Sequence, residues 1–158
     1  MRLLLAAALL GAAGLAQAAV QTREIPYQDA DGKRLVGYYA YDDAVKGPVP
    51  GVVVVHEWWG LNDYAKRRAR DLAALGYSAL AIDMYGDGKN TEHPADAMGF
   101  MQAALKDPAA AASRFDAGVE LLKLQPHTDK TRIAAIGYCF GGKGGLDAAR
   151  RGGPPGGG

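Results

Sequence analysis

Toward its C-terminal end the chain reads Arg132-Ile-Ala-Ala-Ile-Gly-Tyr-Cys-Phe-Gly-Gly. A short apolar run leads into Gly137-x-Cys139-x-Gly141, and sequence compatible with a helix follows. Strand, sharp turn and helix in that order make a nucleophile elbow, here with cysteine where serine is usual. Gly137 and Gly141 remove side chains where strand and helix meet, so the residue between them can hold a strained backbone. A helix starting behind the sulfur directs its positive end at it and favours thiolate. The Phe140 N–H is placed to hold an oxyanion. The predicted chemistry is thiolate attack on an acyl carbon. The competing reading is a buried structural cysteine in a glycine-rich turn.

The elements that must carry this elbow are legible in outline. Ile25 to Tyr41 reads as a β-hairpin turning at Asp29-Ala-Asp31-Gly32. Pro48-Val-Pro50-Gly51 reads as a linker. Val52 to Val55 is an unbroken β-branched run, as expected of a strand covered on both faces. The pattern predicts a helix over 63–75 stopped by Gly76, then a buried strand over 77–82. A Gly- and Asp-rich loop spans 83–94, followed by helices over 95–105 and from Pro108, and a last strand over 132–136. Strands alternating with helices predict an α/β fold, with a mainly parallel sheet and helices on both faces. Ligands bind beyond the C-terminal ends of such strands. His56 to Leu61, Asp83 to Gly88 and Gly137 to Gly142 are therefore expected to converge.

The chain has 158 residues and a net charge of +1, enough for one domain and too neutral to attract nucleic acid or anionic lipid. Its one basic cluster, Lys66-Arg67-Arg68-Ala-Arg70, lies on a helix whose apolar stripe is Ala65, Ala69, Leu72 and Ala73. The cluster reads as the helix's solvent face. Residues 1–19 read as a signal peptide: Arg2, a Leu/Ala-rich stretch from Leu3 to Leu15, and a small-x-small site at Ala16-Gln17-Ala18. That run is shorter than the ~20 residues a membrane span needs, so cleavage and a periplasmic or secreted protein are expected, with no stable membrane insertion. Cys139 is the only cysteine. An unpaired thiol in an oxidising compartment is a liability unless it is buried or used. The tail 151–158, rich in Gly and Pro, is expected to form neither helix nor strand.

Three blocks together resemble the dienelactone hydrolase family of α/β-hydrolases. They are Val52-Val-Val-Val-His56-Glu57-Trp58-Trp59-Gly60-Leu61, Leu80-Ala-Ile-Asp83-Met-Tyr85-Gly86, and Ile136-Gly-Tyr-Cys139-Phe-Gly-Gly142. The resemblance covers about residues 24–150 and implies a partial domain over 20–150. It implies hydrolysis of a small-molecule carboxylic ester or lactone, without metal or cofactor. Cys139 takes the nucleophile position. Glu57 takes that of the glutamate that interacts with the resting thiol and helps deprotonate it. The Trp58 N–H takes the second oxyanion-hole position. His56, Trp59 and Tyr85 fall where a substrate pocket is expected.

The chain also departs from the family. The family places an Asp and then a His after the nucleophile, and no histidine follows Cys139. Asp147 is expected on the helix leaving the elbow, facing away from the sulfur. His127 is expected some ~17 Å from the elbow, at the far end of the last strand. His56 and His93 lie at the correct edge of the sheet, where either could approach the thiol, but each reads first as a loop-packing histidine. Gly144 and Gly145 are poor residues for a helix start. Asp87 stands where dienelactone hydrolases proper carry an arginine for the substrate carboxylate. The last strands and two triad members are thus expected to be missing from this chain, leaving it inactive or poorly soluble. Two other functions compete. One is a non-catalytic hydrolase-like fragment. The other is a nucleotide-binding protein, because Gly137 to Gly144 approximates a phosphate-binding loop with Gly144 in place of its Ser or Thr.

Overall fold

The computed structural model describes residues 20–142, Arg150, Gly152 and Gly156–Gly157. The proposed signal peptide, Lys143 to Gly145 and Asp147 lie outside the described residues. The strands are β1 (Val20–Gln28), β2 (Arg34–Asp42), β3 (Val49–Val55), β4 (Ser78–Ile82), β5 (Thr128–Gly137) and β6 (Gly156–Gly157). The helices are α1 (Asp63–Ala74), α2 (Pro94–Lys106) and α3 (Pro108–Lys123). They build an α/β-hydrolase sheet of order β1-β2-β4-β3-β5-β6. β3 runs parallel to both β4 and β5, while β1, β2 and β4 pair antiparallel.

The reasons are local at most element ends. Asn62 caps α1 by accepting the Ala65 N–H, and Asp107 caps α3 by accepting that of Ala110. Gly76 ends α1 at φ 88, with the Tyr77 N–H returning to the Leu72 carbonyl. Alternation along the strands then separates two cores. Val53, Val55, Leu80 and Ile82 face Phe115, Val119 and Leu122 of α3. Val54, Ala79 and Ala81 face Ala65, Ala69 and Ala73 of α1. Helices thus cover both faces, and small alanines let α1 approach the sheet closely.

Three expectations are corrected. Val49 to Gly51, read as linker, are the first residues of β3. Pro50 is tolerated because the β3–β5 register is irregular between Pro50 and Gly51. A Cβ on Gly51 would come within 2.7 Å of the Ile133 side chain, so this glycine serves close packing. β5 begins at Thr128, four residues before the expected Arg132, because Thr128 and Asp129 pair with Val49 and Pro50. In the tail, Gly156 and Gly157 pair parallel with Ala135 and Ile136. The open edge of β5 offers unpaired N–H and C=O groups to any backbone, whatever its propensity.

Candidate active site

β3 and β5 deliver the two central side chains to one place. Val55 pairs with Gly137 on parallel neighbouring strands. Glu57 and Cys139 each follow two residues later, so they leave the sheet side by side. β4 contributes the third segment, since Val55 also pairs with Ile82 just before Asp83.

The turn at Cys139 has the geometry that its glycines predict. Cys139 is exposed and holds φ 53, a region that costs a non-glycine residue roughly 1–2 kcal/mol. A Cβ on Gly137 would lie 2.2 Å from the Gly141 carbonyl oxygen. The Gly141 N–H returns to the Tyr138 carbonyl at 2.9 Å, and that of Gly142 to Cys139 at 3.1 Å. The thiol is thus held out at the end of a strand on a strained backbone, and is not a buried structural cysteine.

Two N–H groups lie at the same end of the sheet. Among the described residues the Trp58 N–H has no acceptor in the turns and loops, and the Phe140 N–H opens the helix after Cys139, where no intrahelical acceptor is available. Trp58 is fixed through its carbonyl, which accepts the Tyr85 hydroxyl at 3.1 Å. Its ring leans on Trp59 at 4.7 Å. Glu57 is half-buried, and its carboxylate has no hydrogen-bond or ion-pair partner among the described residues. The Gly60 N–H donates to the Glu57 carbonyl, which tightens the loop.

Tyr85 is buried under the elbow, 5.6 Å from the Phe140 ring and 4.7 Å from that of His56. Burial, and secondarily negative charge on Cys139, push its phenol above the usual tyrosine range. It therefore remains a proton-bearing donor. A cavity of about 140 Å³ opens beside it, lined by Lys89, Phe100, Ala103, Ala104 and Arg114.

The histidines do not supply a base. His56 Nε2 accepts the Met84 N–H at 3.1 Å, so the ring proton sits on Nδ1 and is donated to the Glu57 carbonyl at 2.6 Å. Burial pushes its pKa below the usual 6.5, against smaller opposing effects of the Glu57 carbonyl and the Asp83 charge. His56 is a neutral brace between the ends of β3 and β4, not an open pocket residue. His93 is exposed at the start of α2. His127 stacks on Tyr41 at 4.2 Å, and its carbonyl accepts the Val49 N–H at the opposite end of the sheet. Among the described residues no group of His, Cys, Asp and Glu forms a metal site.

Asp83 supports the site, although the sequence presents it only as part of a block. Its buried carboxylate accepts the N–H groups of Val36, Tyr85, Gly86 and Gly88. It thereby shapes the loop that presents Tyr85. The signal was available as an Asp heading a Gly-rich loop, the pattern of an Asx-turn. Asp87, at φ 58, pairs with Lys33 and lies 4.0 Å from Arg34, so it locks that loop to the hairpin.

Known proteins match this arrangement. Residues 35–155 fit the model of the dienelactone hydrolase family. Protein usf of Aquifex pyrophilus is 32% identical over 118 residues, covering 72% of this chain and 49% of its own. The carboxymethylenebutenolidase of Pseudomonas putida is 27% identical, covering 77% and 52%. The chain spans about half the length of these curated relatives. The crystal structure of the dienelactone hydrolase-like promiscuous phosphotriesterase P91, from metagenomic libraries, superposes with a TM-score of 0.81. It shares 42% identity over 87% of this chain and 56% of its own. A family match over residues 35–155, with a relative 32% identical across 72% of the chain, leaves one assignment: the chain belongs to the dienelactone hydrolase family.

Proposed function

We propose that this protein cleaves a carboxylic ester or lactone through a thioester on Cys139. The thiolate attacks the acyl carbon. The oxyanion is received by the N–H groups of Phe140 and Trp58. The C–O bond breaks, the alcohol leaves with a proton, and water then hydrolyses the thioester. Glu57, which leaves the sheet beside Cys139, tunes the thiol by taking its proton. One observation carries the reading: an exposed cysteine at φ 53, between two glycines that have no room for a Cβ. Strain of this kind persists where the surrounding structure imposes it.

Water must give up a proton as it attacks the thioester, and neither His56, engaged with Met84 and Glu57, nor His127, stacked on Tyr41, is placed to take it. An oriented imidazole is worth roughly 10²–10⁴-fold in such proton transfers. Acylation of Cys139 is therefore the step proposed for the residues described. Cys139→Ala is expected to abolish release of p-nitrophenol from p-nitrophenyl esters. Unchanged release in that variant would refute the assignment.

The likeness to P91 favours a second substrate class, phosphotriesters, for which an aryl ester serves as the probe. The same thiolate would attack phosphorus and expel the aryl oxide. Loss of p-nitrophenyl diethyl phosphate cleavage in Cys139→Ala, alongside ester cleavage, is the expected result. Export directed by residues 1–19 is also proposed, and a reporter fused after residue 20 should be secreted and lose those residues.

A further inference from the structure

Helix α1 grips the residue just before the nucleophile. Arg68 donates from Nε at 3.0 Å and from Nη2 at 2.9 Å to the hydroxyl of Tyr138. Its Nη1 donates to Asp71 at 3.2 Å, which holds the guanidinium on the helix. Tyr64 meets the Tyr138 ring edge-on at 5.9 Å, and Arg67 lies 5.3 Å over Tyr64. The cluster that reads as a solvent face is thus partly a clamp.

Phe140, on the other side of Cys139, goes the opposite way. It packs with Tyr85 in the core between sheet and α3, whereas Tyr138 joins the core under α1. The two residues flanking the strained position are anchored in opposite layers. Phe140 is held by apolar contact, which has little directionality. Tyr138 is held by a charged, forked donor, which does.

We infer that Arg68 is a positioning residue for Cys139: acting through the Tyr138 hydroxyl, it sets the angle at which the elbow presents the thiol. This rests on Cys139 being the nucleophile. Without the hydroxyl anchor the turn at φ 53 is steadied on that side only by packing of the Tyr138 ring, which leaves the sulfur more room to shift. A displacement of about 1 Å at a reacting atom can cost up to ~10²-fold in rate.

The test compares wild type, Tyr138→Phe and Arg68→Met, with Arg68→Lys as the conservative variant. Two readouts are used: the pH profile of Cys139 alkylation by iodoacetamide, and kcat and KM for p-nitrophenyl acetate. Tyr138→Phe keeps the ring in its core and removes only the hydroxyl. Both disrupting variants are expected to shift the alkylation profile and lower kcat or the acylation burst rate about 3–30-fold, with KM within about 2-fold. Arg68→Lys should recover only part, since one ammonium cannot fork. If Arg68→Met fails to fold, Tyr138→Phe alone decides. An unchanged profile and unchanged rate in a folded Tyr138→Phe overturn the positioning role. Ester cleavage that survives Cys139→Ala instead overturns the nucleophile assignment, whatever these variants do.

Discussion

The Val55 carbonyl oxygen occupies the space beside Gly141: a Cβ added there would sit 2.5 Å from it. The same methyl would lie 2.7 Å from the His56 carbonyl oxygen. The end of β3 and the start of the elbow helix are therefore in backbone contact, and that contact fixes where the thiol stands. Backbone atoms cannot rotate aside as a side chain would.

Gly141→Ala is accordingly expected to destabilise the fold by about 2–3 kcal/mol, at the upper end for overpacking. Gly137→Ala should behave alike, since its Cβ would meet the Gly141 backbone at 2.2 Å. Urea unfolding of the purified variants measures both. A loss below about 0.5 kcal/mol, the range of ordinary surface changes, would mean the elbow is not built this way.

Strain at Cys139 gives a prediction of unusual sign. In a regular element, glycine is less stable than alanine by roughly 0.5–1 kcal/mol. At φ 53 the order should reverse, because only glycine takes that region freely. Cys139→Gly is expected to melt at or above Cys139→Ala, with both variants inactive. A clearly lower melting temperature for the glycine variant would argue for a relaxed turn.

His56 should impose a pH dependence on stability. Its folded pKa is lowered from 6.5 by burial. Between that folded value and 6.5, the unfolded chain binds a proton that the folded chain does not. Its contribution is therefore fully present above about pH 6.5 and is lost as pH falls toward the folded pKa, at up to about 1.4 kcal/mol per pH unit. Thermal melts of wild type and His56→Gln through this range should diverge least under acid conditions. Parallel curves for the two proteins would show that His56 carries no such linkage.

What the sequence reveals divides along local and non-local lines. The hairpin, the Gly76 stop and the elbow glycines follow from short-range chemistry, and the structure has all three. Pro50 and Gly51 look like punctuation because their reason is non-local: an irregular register against β5 and contact with Ile133 and Thr128. The role of His56 is equally hidden, since its ring nitrogen serves the Met84 N–H in the loop after another strand. Arg68 and Arg70 lie on a helix face that reads as solvent, yet their partners are Tyr138 and Tyr38 on the sheet side. Sequence spacing on α1 reveals the apolar stripe but not which tyrosine hydroxyls reach its edge.

The central claim is that carbon–sulfur bond formation occurs at Cys139. Brief exposure of the purified chain to p-nitrophenyl acetate, followed by intact-mass and peptide mass spectrometry, tests it most directly. One acetyl group per chain, located on Cys139 as a hydroxylamine-labile thioester and absent from Cys139→Ala, is the predicted result. No acetyl on Cys139, or equal labelling of the alanine variant at lysines, would contradict it.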